Sequence, residues 1–376
     1  MSLRDRLKLA SDREFDSRHI YRRFGVVENP FPSSGQSSNN PHQSSQVDEL
    51  LETKMTSFIR DKKSQVLVIE GTQGVGKTNL LNHYEKELSD ALPELNGFYV
   101  IRYLTDPEAS FDGTLRRLFQ ELGVSHLTRL GKKLAENGRR GAIEAARSHE
   151  MRTALQKLTN GNGAEDIADA MLEWLVGLRV LNRHKHLLGV QFRLDTVESK
   201  TVALRDLVLV SSQIDILNGI FLLLDELEKQ DGVLSATLVV RYLSAMRAII
   251  DALPNHLFMM IAVTPDALRR YSLALPAFRS RLEDRIELLP LKTPDEALDL
   301  ATFYISKAKE KAEKENDQKP PSTVKPILTK DRITQIFETR LRSAQTRGDA
   351  GLRQREFLHA LHTEAEESIK SVAPSA

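Results

Sequence analysis

The sequence predicts an α/β protein with a central sheet of five parallel strands, and two observations lead to this prediction. Short apolar runs alternate with longer segments in which leucine, alanine and charged residues recur at helix spacing. Parallel strands have such continuously apolar sequences because the helices that connect them cover both faces of the sheet. The five predicted strands are residues 65–70, 97–104, 219–225, 257–263 and 285–291.

The composition is typical of a folded globular protein. Of the 376 residues, 40% are hydrophobic and 28% are charged, so the chain can bury a sizeable core. The net charge is only +1, so any contact with nucleic acid must come from a local patch rather than from bulk charge. The chain has no cysteine, which excludes disulfides, thiolate metal sites and cysteine nucleophiles.

No segment resembles a targeting or membrane-spanning sequence. The first 24 residues interleave charges and lack the apolar stretch of a signal peptide. The longest apolar run, Leu257–Val263, is far shorter than the roughly 20 residues that a membrane span needs. We therefore expect a cytoplasmic protein without membrane contact.

The chain divides into three predicted parts. Residues 1–46 form an N-terminal arm and linker, because residues 32–46 consist mainly of serine, asparagine, glutamine, proline and glycine. Residues 47–292 form the core, with a helical insertion at 106–208 between the second and third strands. Residues 293–376 form a helical C-terminal part.

A glycine-rich loop after the first strand predicts a phosphate site. The sequence GTQGVGKT matches GxxxxGK[ST] and lies between a predicted strand and a predicted helix at 78–92. Glycines let the backbone N–H groups face phosphate oxygens, and the helix N-terminus attracts the same anion. We expect Lys77 to reach the β- and γ-phosphates of a nucleotide and the Thr78 hydroxyl to bind Mg²⁺. The predicted binding residues here are Gly71, Thr72, Gln73, Gly74, Val75, Gly76, Lys77, Thr78 and Asn79.

Two acidic residues, Asp225 and Glu226, end the most apolar strand. Ligands of open α/β sheets bind at the carboxyl ends of the strands. Asp225 could therefore hold the water shell of Mg²⁺, and Glu226 could polarise a water for attack on the γ-phosphate. The alternative is an ordinary helix N-cap after a core strand.

Two further sites could contact the same nucleotide. Thr264 follows the fourth strand, where its hydroxyl could bond the attacking water; the alternative is a cap for the next helix. An arginine at a subunit edge could stabilise the γ-phosphate charge of a neighbouring subunit's nucleotide. The candidates are Arg279, Arg281 and Arg285, and their alternative is a surface ion-pair cluster with Glu283 and Asp284.

Together these motifs resemble those of AAA+ ATPases. The order GTQGVGKT, IFLLLDE, AVTPD, FRSRLEDRIELLPL is similar to the branch of origin-recognition proteins, MuB, TnsC and ExeA. The segment FGVVENPFP resembles one that precedes the phosphate loop in several of these proteins. The long insertion and the C-terminal region also resemble the P-loop ATPases of BREX-type phage-defence systems. The insertion at 106–208 by itself resembles no family, and no winged-helix domain follows the C-terminal helices.

The resemblance implies a three-layer core with sheet order 5-1-4-3-2, a helical lid and a role for each motif. Lys77 and Thr78 belong to Walker A, Asp225 and Glu226 belong to Walker B, and Glu226 is the catalytic base. By the same resemblance Thr264 is sensor 1, Arg281 is the arginine finger, and GLRQREFL at 351–358 is similar to the sensor 2 helix. The family spacing from Gly351 fits neither Arg353 nor Arg355 fully, so both remain candidates for sensor 2.

Basic residues concentrate in the insertion. Residues 127–157 contain eight lysines and arginines and three glutamates, and a second basic cluster comprises Arg179, Arg183, His184, Lys185 and His186. Such helices could follow DNA phosphates; the alternative is a solvated helix face. Few aromatic residues are interleaved, so base stacking on residues 127–157 is not expected. A metal site at His184 and His186 is also not expected, because no acidic residue lies nearby in the sequence.

The sequence thus predicts an ATP-hydrolysing AAA+ switch that requires Mg²⁺ and assembles into a homo-oligomeric ring or filament. It would act with double-stranded DNA in replication, transposition or phage defence. The alternative is a STAND-like signalling or scaffold NTPase that controls the assembly of a protein partner. A third hypothesis is a nucleotide-binding protein with little turnover.

Overall fold

The structure, a computed structural model, describes six stretches of the chain. These are residues 20–33, 45–94, 96–104, 110–282, 284–315 and 325–372.

The strands form a five-stranded parallel sheet, so the predicted fold class is confirmed. They are β1 (Gln65–Gly71), β2 (Phe98–Leu104), β3 (Gly219–Asp225), β4 (Leu257–Val263) and β5 (Asp284–Leu288). Their order is β2-β3-β4-β1-β5, which is the predicted order read from the other edge. The fifth strand ends at Leu288 and not at the predicted residue 291, because Pro290 has no N–H for a strand ladder.

The two central strands carry most of the sheet core. All seven residues of β3 and of β4 are buried, which explains why both consist almost entirely of apolar residues. Between β1 and β4, Glu70 is opposite Val263, and between β3 and β4, Leu224 is opposite Ile261. Between β2 and β3, Leu104 is opposite Asp225. The carboxyl ends of β1, β2, β3 and β4 therefore meet at one edge of the sheet.

Helices occupy the segments between the strands, where the sequence predicts them. Before the insertion they are α1 (Ser45–Asp61) and α2 (Lys77–Ala91), and the insertion comprises α3 (Asp112–Ala135), α4 (His149–Asn160), α5 (Glu165–Leu175), α6 (Asn182–Leu188) and α7 (Val197–Gln213). After β3 follow α8 (Lys229–Val233), α9 (Ala236–Ala252), α10 (Pro265–Ala274), α11 (Pro276–Arg279), α12 (Pro294–Glu315), α13 (Lys330–Thr346) and α14 (Gln354–Val372).

The described residues form two compact units. One contains residues 43–71 and 83–287, which include β1 to β4 and the insertion. The other contains the residues before 43, residues 72–82 and the residues from 288 onward. The three-part division at residues 46 and 292 stays a prediction. In the described residues, no helix is long and apolar enough to cross a membrane.

The insertion shares one hydrophobic core with the sheet. Leu118 of α3 and Trp174 of α5 belong to the same buried cluster as Val68 and Ile101 of the strands. Lys200 of α7 is buried and forms an ion pair with Asp112 of α3. These contacts make the insertion an integral part of the unit that contains the sheet.

The second unit packs the N-terminal segment against α14. Tyr21 donates a hydrogen bond to Glu366, and Asn29 Nδ2 donates to the same carboxylate at 2.9 Å. Burial opposes ionisation of Glu366, but these two hydrogen bonds outweigh it, so the pKa of Glu366 is lowered. Burial and the contact with Glu366 raise the pKa of Tyr21.

A buried histidine makes the stability of the sheet unit depend on pH. His126 of α3 contacts the Tyr99 hydroxyl through Nδ1 at 2.7 Å and the Ser211 hydroxyl through Nε2 at 3.0 Å. Burial, with the nearby charge of Arg129 as a smaller cause, lowers the pKa of His126 to about 3.

This shift predicts a loss of stability in mild acid. Below the ordinary pKa of about 6.5 the unfolded chain binds a proton that the folded chain excludes, so the free energy of unfolding falls as the pH decreases toward 3. Between pH 7 and pH 5 we expect a loss of about 2 kcal/mol from this group. Urea unfolding of the wild type and of His126→Gln at pH 7 and pH 5 measures this loss. If both proteins lost the same free energy of unfolding between these pH values, His126 would not be its source.

Candidate nucleotide site

The phosphate loop has the backbone that its glycines predict. It connects the end of β1 at Gly71 to the start of α2 at Lys77. Gly74 and Gly76 have φ of +85° and +105°, a conformation that residues with a Cβ rarely adopt. Val75 between them is fully buried and anchors the loop. The loop therefore holds a tight turn at the N-terminus of a 15-residue helix, as anion binding by backbone N–H groups requires.

Lys77 and Asn79 are buried in the first turn of α2. Lys77 is only 7% exposed, and its Nζ donates to the carbonyl oxygen of Thr72 at 3.3 Å. Asn79 is 3% exposed. An ammonium group held beside its own loop is well placed for an anion that the loop N–H groups bind.

The N-terminus of α14 contacts the phosphate loop. The backbone N–H of Arg355 donates to the carbonyl oxygen of Gly74 at 3.0 Å. A Cβ at Gly74 would lie 3.4 Å from the Cβ of Arg355, an ordinary contact, so it is the φ of +85° that favours glycine there. Leu352 pairs with Leu291 in an isolated bridge just before α14 and fixes the approach of this helix.

A cleft of about 410 Å³ lies beside this contact. It is lined by Ser33, Gln73, Gly74, Arg353, Arg355, Glu356 and His359. Both sensor 2 candidates therefore line it. Arg353 forms an ion pair with Asp349 at 3.0 Å, whereas the Arg355 guanidinium has no hydrogen-bonding or ionic partner in the described part of the chain.

Ser33 and His359 are residues of the cleft that the sequence did not single out. His359 is four residues after Arg355 on α14, so the helical spacing alone could have placed it on the same face. Nothing in the sequence marks Ser33, because only packing of the N-terminal segment within this unit brings it to the cleft.

At the end of β3, Asp225 is buried and both of its carboxylate oxygens are bonded. Arg102 of β2 reaches Oδ2 through Nη2 at 2.7 Å, and the backbone N–H of Glu226 donates to Oδ1 at 2.9 Å. Burial lowers the pKa of Arg102, and the attraction of Asp225 partly offsets this effect. Arg102 Nη1 is also buried and has no hydrogen-bond partner among the described residues. The sequence missed Arg102 because it lies in no motif.

Glu226 has a strained backbone. Its φ is +55°, and this region costs a non-glycine residue about 1–3 kcal/mol. Its half-exposed carboxylate forms an ion pair with Lys229 at 2.6 Å. Strain of this kind is retained mainly where a residue must point in a particular direction, which fits the role of a base better than that of a helix cap.

Thr264 occupies the N-cap position of α10, but its hydroxyl makes no capping hydrogen bond. The alternative that the Thr264 side chain caps α10 is therefore not supported. Its role as sensor 1 stays a prediction.

Among the described residues, Arg279, Arg281 and Arg285 form no ion pair with Asp284. Arg281 binds Asp251 of α9 at 2.8 Å, Asp284 binds Lys54 of α1 at 2.6 Å, and Arg285 Nε donates to the carbonyl oxygen of Leu282 at 2.9 Å. Glu283 lies outside the described residues. Arg281 remains half-exposed, and its role as an arginine finger stays a prediction.

The basic surface of the insertion is partly neutralised. Lys133 and Arg139 share Glu136, and Arg152 lies 3.5 Å from Glu144. Cations without a carboxylate partner in the described residues include Lys132, Arg140, Arg147, Lys157, Arg179 and Lys185. A positive surface therefore remains after pairing.

His184 has an acidic neighbour that the linear sequence did not indicate. Its Nε2 lies 2.8 Å from Glu173 of α5, and its Nδ1 accepts the backbone N–H of Leu181 at 3.0 Å. The described residues contain no cluster of three side chains that could hold a metal ion. The contacts of His184 are those of a buried structural histidine.

The comparisons with known proteins relate the middle of the chain to one family. Residues 141–306 match the model of the family described as BREX system ATP-binding protein BrxC/D. Over this range the chain is similar to the BREX ATP-binding family. The resemblance to BREX-type ATPases is thereby confirmed. The match includes Asp225, Glu226, Thr264 and Arg281, together with residues 141–208 of the insertion.

Solved structures and curated proteins add little beyond this family. Two structures of the ORC2 protein of Aeropyrum pernix are similar to the chain. The structure of its ADPNP-ADP complexes has a TM-score of 0.44 and 11% identity, over 93% of this chain and 72% of that one. The ADP form has a TM-score of 0.40 and 12% identity, over 88% and 70%. No curated protein matches.

Proposed function

We propose that this chain binds and hydrolyses ATP with Mg²⁺ and acts as a nucleotide-controlled switch with DNA in phage defence. The phosphate loop carries the proposal: it combines two glycines with positive φ and a buried lysine, and Arg355, which has no ionic partner in the described part of the chain, bonds to it through its backbone N–H. The similarity to a family described as ATP-binding in BREX systems supports it.

Within this proposal, the backbone N–H groups of the loop and Lys77 bind the phosphates. Arg355, whose backbone bonds to Gly74, adds a second positive charge. The neighbouring cleft, lined by Ser33 and His359, accommodates the remainder of the nucleotide.

The Thr78 hydroxyl and the Asp225 carboxylate are hard oxygen donors of the kind that Mg²⁺ prefers. They would hold the ion, which would supply positive charge to offset that of the nucleotide phosphates. Arg102 and the N–H of Glu226 hold the two oxygens of Asp225 in fixed directions. Glu226 accepts a proton from the attacking water, and Thr264 orients that water.

Assembly and DNA contact belong to the same proposal. Arg281 is half-exposed, and a surface ion pair such as that with Asp251 contributes little stability, so it can be exchanged for the phosphates of a neighbouring subunit's nucleotide. A homo-oligomeric ring or filament follows from this role. The unpaired cations of the insertion supply phosphate contacts to double-stranded DNA.

The test is the ATPase rate of the full chain with and without duplex DNA. We expect hydrolysis that requires Mg²⁺ and rises several-fold with duplex DNA at low salt, with the stimulation lost as salt weakens phosphate contacts. Absence of hydrolysis would overturn the ATPase assignment. Hydrolysis without any DNA response or binding would favour the signalling or scaffold NTPase.

A further inference from the structure

Two loops of the insertion are fixed together at one surface. They are residues 177–181, between α5 and α6, and residues 189–193, after α6. Arg193 Nε donates to the carbonyl oxygen of Gly177 at 2.6 Å, and Trp174 Nε1 donates to that of Phe192 at 2.9 Å. The N–H groups of Gln191 and Phe192 both donate to Glu150 at 3.1 Å. The backbone of the second loop is therefore held from two sides.

These fixed loops expose large apolar side chains. Phe192 is 73% exposed, Leu181 is 54% exposed and Leu178 is 50% exposed. Single exposed apolar residues are common on protein surfaces, but three in two hydrogen-bonded loops are not. The Phe192 ring projects from a backbone with three hydrogen bonds, so holding it ready for a partner costs little additional entropy.

The same loops are positively charged. Residues 177–193 contain four lysines and arginines and no aspartate or glutamate. Arg183 is neutralised by Asp169 at 2.8 Å. Arg179, Lys185 and Arg193 have no carboxylate partner in the described part of the chain.

We propose that this surface binds single-stranded nucleic acid. An unpaired base stacks on the Phe192 ring beside Leu178 and Leu181, and the neighbouring phosphates bind Arg179, Lys185 and Arg193. A duplex keeps its base faces inside the helix and offers none to the ring, so the exposed aromatic selects unpaired strands. An acidic protein segment would match the charge but would not need an aromatic face.

The proposal rests on the proposed function in one respect, because it takes nucleic acid as the partner. It adds an exposed aromatic residue, Phe192, which the sequence did not single out and which lies outside the basic stretch at 127–157. The hydrogen bond from Arg193 to Gly177 joins the loop that carries this ring to the loop that carries Arg179.

The test measures fluorescence anisotropy of labelled oligothymidine and oligouridine, each of about 20 nucleotides, with the full chain at low salt. We expect Phe192→Ala and Phe192→Leu each to weaken binding about 10-fold, because leucine keeps apolar area but lacks a planar face. Replacing Arg179 and Lys185 with glutamine should lower the slope of log affinity against log salt by about 1.4. Leu273→Ala, which removes a 72% exposed side chain of α10, should change nothing.

Three outcomes would overturn the proposal. They are failure of the wild type to bind either oligonucleotide, wild-type affinity of Phe192→Ala, and wild-type affinity of Phe192→Leu, which would indicate an apolar protein partner. Thermal unfolding confirms that the variants are folded. Duplex-stimulated ATPase activity, measured in the two Phe192 variants, tests the proposed function separately: loss of base stacking at Phe192 should leave it unchanged.

Discussion

Replacing Glu226 with glutamine is expected to lower ATP turnover by about 10²–10⁴-fold while ATP still binds. Glutamine has nearly the shape of glutamate, so the strained backbone at φ +55° and the position of Asp225 should persist. The amide cannot accept a proton from water, whereas the phosphate loop keeps its binding groups. The variant should therefore accumulate bound ATP, which phosphate release and nucleotide retention would measure in the same sample.

Glu228→Gln is the matched control for this variant. Glu228 is a partly buried glutamate two residues later, and it is not part of the proposed mechanism. The ATP turnover of Glu228→Gln should remain within about twofold of the wild type, a far smaller change than the 10²-fold loss expected when a general base is removed. If Glu226→Gln hydrolysed ATP at the wild-type rate, Glu226 would not be the base. If the wild type itself showed almost no turnover, the chain would be a nucleotide-binding protein only.

Replacing Lys77 with alanine is expected to weaken ATP binding by about 100-fold. The ammonium group is buried in the first turn of α2 beside Thr72, so no water-exposed cation can replace it. Charge-assisted hydrogen bonds contribute about 1.5–3 kcal/mol each, and 2.7 kcal/mol corresponds to about 100-fold. Isothermal titration with ATP and Mg²⁺ gives the affinity directly.

Lys86→Ala provides the comparison, because Lys86 is an exposed lysine on the same helix. The affinity of Lys86→Ala for ATP should equal that of the wild type. An unchanged affinity for ATP in Lys77→Ala, in a variant that thermal unfolding shows to be folded, would contradict the phosphate site.

The same titration distinguishes the sensor 2 candidates: Arg355→Ala should weaken ATP binding more than Arg353→Ala, because Arg353 is already paired with Asp349.

The central strands show what local sequence can predict. The predicted limits of β3 and β4 agree with the structure, because each is an uninterrupted apolar run that only a strand buried on both faces accommodates. The fifth strand was predicted too long at its end, since its apolar pattern continues past the point where Pro290 stops the ladder.

The sequence predicted only those parts of the candidate site whose structure is specified by one short segment. The phosphate loop needs glycines at fixed spacing and a helix start, and both are local properties. The contacts of Arg102 and Ser33 join residues far apart in the chain, and no local pattern marks them. His184 and Glu173 are only 11 residues apart, but they lie on two different helices.

Local sequence is enough to predict the phosphate loop, the acidic pair after β3 and the strand segments, because backbone conformation and burial of short segments depend on neighbouring residues. Which side chains flank these segments depends on how distant parts of the chain pack together. The pairing of β2 with β3 brings Arg102 to Asp225, and the approach of α14 to Gly74 brings Arg355 to the loop. Hydrogen bonds to Trp174 and Glu150 fix the backbone that carries the exposed Phe192 ring. Each of these contacts depends on strand register and helix packing, which are set by the whole core rather than by any one segment.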